Sequence, residues 1–224
     1  MLKQHGFVFM WPVYESYGID KGYIKARSNF VLSNYNPISS DELFLAIQRV
    51  DTSKERSILK FVSRYGLLTN KSEELIAEFK EKIAECRLVL TACAVISRTE
   101  KGSLTEKDKH YLQEFIAASP SSYQPAGSFI EIAKSLVYTT IGEKLKGVSF
   151  TAVPQKSGFA RNAEFSSLLQ AFYFRIYLDM TTDSKSLEYR ICDNPACSRV
   201  FSAGPKGIRR YDAKTCSDTC SKAR

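Results

Sequence analysis

Four of the chain's six cysteines fall within its last 33 residues, as two pairs, and that pairing constrains the fold more than any other feature. The segment reads Cys192-Asp-Asn-Pro-Ala-Cys197, then 18 residues, then Cys216-Ser-Asp-Thr-Cys220. Zn²⁺ takes four tetrahedral ligands, and a short Cys pair supplies two of them from one turn of backbone. Asn194 and Pro195 are turn formers that fold the first pair into a knuckle. Cys216 and Cys220 stand at positions i and i+4, which share one face of a helix. Between the pairs, Val200-Phe201 and Tyr211 flank Gly204-Pro205-Lys206-Gly207, the pattern of a β-hairpin. Knuckle, hairpin and ligand-bearing helix predict a treble-clef-like, four-cysteine zinc module over residues 184–224, with Cys192, Cys197, Cys216 and Cys220 as ligands to one structural Zn²⁺. An iron–sulfur cluster and free or disulfide-linked thiols remain as alternatives, although a disulfide framework would spread its cysteines through a small secreted chain.

Residues 1–183 read as a mainly helical domain opened by a small β element. Phe7–Trp11 and Tyr23–Leu32 are aromatic, mixed-polarity stretches that suit a pleated surface, punctuated by Gly18 and Gly22. Helix starts are predicted where a Ser or Thr stands three residues before an acid: Ser39/Glu42, Thr52/Glu55, Thr105/Asp108 and Ser128/Glu131. Gly66 is a natural stop for the second helix. From Ser72 to about Ser97, Leu75, Phe79, Ile83, Cys86, Leu90 and Cys93 step by four or three and form one apolar stripe. Cys86 and Cys93 therefore read as buried thiols that behave as small hydrophobes. Glu73, Glu74, Glu78 and Glu81 read with Lys80 and Lys82 as a solvated helix face. Val148–Val153 is a candidate strand and Pro154–Gly158 a turn. Asn162 is read as the cap of a last long helix, Ala163–Met180, whose Phe172, Tyr173 and Phe174 are core candidates.

The net charge of +8 favours an acidic partner, and it is unevenly spread. Residues 190–224 hold eight basic side chains against three acidic ones, so this segment carries +5 of the total. Four thiolates around Zn²⁺ would add −2, which leaves a basic excess of about +3. Lys206, Arg209, Arg210, Lys214 and Lys222 are the candidate contacts to nucleic-acid phosphates. Tyr211, beside Arg209 and Arg210, either stacks on a base or packs over the knuckle.

Tyr189-Arg190-Ile191-Cys192, Cys197-Ser-Arg-Val-Phe201, Arg209-Arg210 and Cys216-Ser217 with Cys220 together resemble the CGNR-type zinc finger. That finger ends bacterial proteins regarded as DNA-binding regulators, behind a largely helical, ligand-sensing-like domain. Ile58–Leu68 and Ser167–Ala171 are similar to helical segments of related bacterial proteins. The resemblance implies transcriptional regulation through DNA binding. This chain departs from the family at its end: Ser221-Lys222-Ala223-Arg224 follows Cys220 where the naming Gly-Asn-Arg motif belongs, and the last pair is one residue closer.

Catalytic patterns are not evident. His5 and His110 are the only histidines, neither in a catalytic spacing, and there is no Gly-rich phosphate loop, nucleophile elbow or His-Glu-x-x-His pair. The chain is expected not to be an enzyme, and a protein-interaction module with purely structural zinc is the competing reading. Pro12 interrupts the apolar run Phe7–Val13 and no small-residue cleavage site follows. Leu88–Ile96 is far shorter than the roughly 20 residues a bilayer needs. A cytoplasmic location without membrane association is expected.

Overall fold

The computed structural model describes residues 7–99, 104–119, 127–155, 158–181, 188–197, 199–204 and 207–223. The chain divides into two compact units, Met1–Ile83 with Lys144–Leu178, and Ala84–Glu143 with Asp179–Arg224. Helices dominate, joined by several small sheets. Among the described residues no helix is long and apolar enough to cross a membrane.

The first unit opens with five short strands: β1 (Phe7–Val8), β2 (Trp11–Tyr14), β3 (Tyr17–Asp20), β4 (Tyr23–Ala26) and β5 (Val31–Tyr35). The expected N-terminal β element is therefore present, but it does not close on itself. Helices α1 (Asp41–Arg49) and α2 (Glu55–Tyr65) follow, then β6 (Glu73–Leu75) and the start of α3 (Ile76–Thr99). After the second unit's helices the chain returns as β7 (Ser149–Gln155), β8 (Gly158–Glu164) and α6 (Leu168–Thr181). β2 pairs antiparallel with β5, β4 lies between β3 and β6, and β8 lies between β7 and a parallel β1. Trp11, Val13, Ile24, Leu43, Ile58, Phe61 and Phe79 are buried, as are Phe172, Tyr173 and Phe174 of α6.

Several local readings shift. The Ser39/Glu42 and Thr52/Glu55 boxes do not form: α1 is capped by Ser40 and α2 by Lys54, neither through its side chain. Glu42 instead ion-pairs with Arg64 of α2. Gly66 does end α2, at φ +80°, and it is obligatory there because a Cβ would lie 2.8 Å from the Pro12 carbonyl and the Trp11 indole nitrogen. Glu74 is not on a solvated face. It is buried in β6, where it accepts the Leu68 N–H at 3.0 Å and pairs with Lys82 at 2.8 Å. Asn162 lies inside β8 and is not a helix cap, because α6 starts only at Leu168. The predicted strand extends to Gln155, while part of the predicted turn, residues 156–157, lies outside the described residues.

The second unit holds the rest of α3, α4 (Glu106–Ala118), α5 (Phe129–Lys144 as a whole), β9 (Glu188–Ile191), β10 (Val200–Ala203) and α7 (Asp218–Lys222). From Phe79 on, the apolar stripe of α3 is as expected, Phe79, Ile83, Cys86, Leu90 and Cys93 all being buried and Ala92–Ile96 buried all round, but Leu75 belongs to β6 and is only half-buried, because α3 starts at Ile76. Thr105 and Asp108 form a reciprocal capping box at the head of α4. Asp108 is fully buried there and ion-pairs with Arg98. The Ser128/Glu131 signature also closes reciprocally, at 2.7 and 3.4 Å.

Candidate metal centre

The module is assembled from the strand that precedes the first cysteine. β9 pairs antiparallel with β10 over Ile191↔Val200 to Glu188↔Ala203, so the two strands bracket the first Cys pair. The hairpin therefore joins β9 to β10, whereas the sequence suggests a hairpin across residues 204–207. Beyond β10 the chain turns through Gly204, which donates to the Arg209 carbonyl at 3.0 Å, and touches β10 again at Arg209. Gly207 allows this turn: a Cβ would fall 2.6 Å from the Ala203 carbonyl carbon.

The knuckle is closed by backbone. The Cys192 N–H donates to the Arg199 carbonyl at 2.8 Å, and the Cys197 N–H to the Asn194 carbonyl at 2.9 Å. Asn194 is buried. Its side-chain oxygen accepts the Ala196 N–H at 3.0 Å, and its amide donates to the Cys220 carbonyl at 3.3 Å. A residue recognisable in the sequence only as a turn former thus ties the first Cys pair to the second. Asp193 adds a second tie, donating its N–H to the Lys214 carbonyl at 2.9 Å. Ser217 caps α7 by accepting the Cys220 N–H at 3.2 Å, which fixes the last ligand on the first turn of that helix.

These ties bring the four sulfurs of Cys192, Cys197, Cys216 and Cys220 within 4.8 Å of one another. Cys197 lies 3.5 Å and Cys220 3.7 Å from the Cys216 sulfur. A disulfide needs about 2.05 Å. Zn–S bonds of about 2.3 Å at tetrahedral angles require sulfurs about 3.8 Å apart. The observed spacing is longer than a disulfide bond and compatible with a metal site. The Cys216 N–H also points at the Cys192 sulfur, at 3.4 Å.

The electrostatics ask for a cation. Burial, followed by the neighbouring Cys197 and Cys220 thiols, pushes Cys216 up to about 12. Burial also raises Cys197, while hydrogen bonding from Ser217 leads the effects that lower Cys220 to about 7. Crowded thiols resist sharing negative charge unless a metal ion neutralises it. Cys86 and Cys93 belong to the apolar stripe of α3 and not to this cluster.

The predicted phosphate contacts are dispersed around the module. Arg209, Arg210 and Lys214 line an open hollow of about 520 Å³ together with Asp212, Thr215 and Asp218. Arg209 is paired with Asp218 at 2.7 Å, and Arg210 with Asp212 at 3.4 Å. Lys214 is exposed, and Lys222 is exposed on α7. Lys206 lies outside the described residues. Tyr211 is half-exposed and carries the Arg190 guanidinium 5.2 Å from its ring centre, so the ring packs against a cation within the module. The sequence offered no sign of the two acidic partners of Arg209 and Arg210. No protein-family model matches the chain, and no curated protein or solved structure does so either.

Proposed function

We propose that Cys192, Cys197, Cys216 and Cys220 hold one structural Zn²⁺, and that the module so organised binds a nucleic-acid backbone. The chain would then act as a non-catalytic regulator of the kind implied by its resemblance to CGNR-type fingers. The observation that carries the metal is the convergence of four thiols to within 4.8 Å from two short loops. An all-thiolate set with no position left for water suits a structural ion and not a catalytic one. When bound, Zn²⁺ would hold four thiolates together and supply folding energy to the module. Elemental analysis of the purified protein tests it, with one zinc per chain expected. Iron, or less than about half an equivalent of zinc, would sink the assignment.

The nucleic-acid part is supported by the local basic excess and by the hollow that Arg209, Arg210 and Lys214 share beside the cluster. Phosphate contacts release counterions, so affinity should fall steeply with salt. Replacing Arg209 and Arg210 together by Ala should lower the slope of log K against log salt by about 2 on duplex DNA, with zinc content unchanged. The ion pairs Arg209–Asp218 and Arg210–Asp212 favour a second reading, a protein-interaction module in which zinc is architectural. Failure to bind duplex DNA, single strands or RNA at low salt would select that reading.

A further inference from the structure

Within the first unit, α1 and α2 enclose a groove of about 390 Å³ that the zinc reading leaves unused. Leu45 and Ala46 of α1 and Phe61 of α2 supply apolar surface, and Phe61 is itself buried. The groove's charged lining is three cations, Arg49, Lys60 and Arg64, against a single carboxylate, Glu42. Polar groups gather at one end. The Tyr65 hydroxyl donates to the Glu42 carbonyl at 3.4 Å. Burial is the main cause that raises that hydroxyl. Arg64 also lies over the Tyr65 ring, 5.6 Å from its centre.

We propose that this groove binds a small organic anion with an apolar body, a carboxylate or sulfonate carried on an aliphatic or aromatic group. The volume falls within the roughly 300–1,000 Å³ of small-molecule sites, and such sites combine apolar walls with a few convergent polar groups. Arg64 and Glu42 form an ion pair in which both side chains are about two-thirds exposed. Pairs of this kind are held weakly, so an incoming carboxylate can take Arg64 bidentately and leave Glu42 to water. Arg49 and Lys60 then complete the charge balance while the ligand's apolar part covers Leu45, Ala46 and Phe61. A metal cation is disfavoured because only one carboxylate lines the groove.

The test uses the full chain and 1-anilinonaphthalene-8-sulfonate, an aromatic anion whose fluorescence reports an apolar site. Saturable binding is expected, displaced by octanoate and not by octanol at the same concentration. The double substitution Arg49→Gln with Lys60→Gln should weaken binding by about tenfold or more, through the loss of two of the groove's three positive charges. Thermal melting of that variant checks that its fold is kept. Phe30→Ser removes the most exposed large apolar side chain among the described residues of the same unit and should leave binding unchanged. Equal displacement by octanol, or affinity that falls with Phe30→Ser and survives the charge substitutions, would overturn the proposal. The Arg209→Ala/Arg210→Ala protein should bind the probe as the unaltered chain does, which separates this site from the zinc module.

Discussion

Two sets of cysteines in one compact unit have opposite surroundings. Cys86 and Cys93 sit on a helix at a spacing of seven, both buried, with Cys93 3.7 Å from the Met180 sulfur. Cys192, Cys197, Cys216 and Cys220 sit on loops and a short helix, with their sulfurs turned towards one another. The same side chain is a buried hydrophobe in the first setting and a candidate metal ligand in the second. What differs is whether the backbone can turn within a few residues and aim two thiols at one point. A regular helix separates Cys86 and Cys93 by two turns, about 10 Å of rise, so they cannot share an ion. The Asn194 turn and the Ser217 cap bring the four C-terminal sulfurs within 4.8 Å of one another.

The strongest test of this contrast exchanges one ligand. Cys216→Ser should abolish stoichiometric zinc and unfold the module, because structural sites contribute about 10–16 kcal/mol of apparent binding energy. Elemental analysis with circular dichroism reads both effects. Next in size, Cys86→Ser should leave zinc intact and destabilise by about 1–3 kcal/mol, from a poorly paired buried hydroxyl, measured by urea unfolding. Retained stability would place Cys86 nearer water than its burial indicates.

A pH titration sharpens the same comparison. Burial pushes Cys93 up to about 12 from an ordinary 9.0. Below pH 9 the thiol is protonated in both the folded and unfolded chain, and its contribution is fully present. As pH rises from 9 towards 12, only the unfolded chain loses the proton, so stability should fall by at most about 1.4 kcal/mol per pH unit. Unfolding measured at pH 8 and 10 should show this slope, and Cys93→Ala should reduce it. The smallest effect concerns the module's attachment. Tyr189, three residues before the first ligand, donates to the Asp179 carboxylate at the end of α6, at 2.7 Å. Tyr189→Phe should cost about 1 kcal/mol and speed amide exchange at residues 179–181. Exchange unchanged there would uncouple the module from that helix end.

Much of the cysteine contrast was legible in the residue spacing. Pairs separated by four and three residues announce turns, and a run of fours and threes on α3 announces a buried face. Reciprocal caps at Thr105/Asp108 and Ser128/Glu131 were legible because both partners are local. Several failures involve distant partners. Glu42 carries the signature of a cap, but Arg64, 22 residues away, takes its carboxylate. Glu74 looks like one charge on a solvated helix until β4 pairs with its segment and Lys82 covers it. β8, with few branched residues, is a strand because β7 and β1 supply its hydrogen bonds. In the C-terminal module, the two cysteine pairs that converge were visible in the spacing, while Asp218 and Asp212, which partner the arginines, were not.

Asn194 bears on how slowly a bound ion would leave. Release from four thiolates proceeds one ligand at a time, and each departing sulfur must move away before its neighbours follow. The Asn194 amide on the Cys220 carbonyl and the Asp193 N–H on the Lys214 carbonyl keep the two halves of the site together while one sulfur is detached. If the four cysteines hold an ion, a loosened thiol would remain at high effective concentration beside it and recapture it. Residence time would then depend on hydrogen bonds between the loops as well as on metal–sulfur bonds, and Asn194→Ala should shorten it, in a chelator-exchange assay, without removing any of the four cysteines.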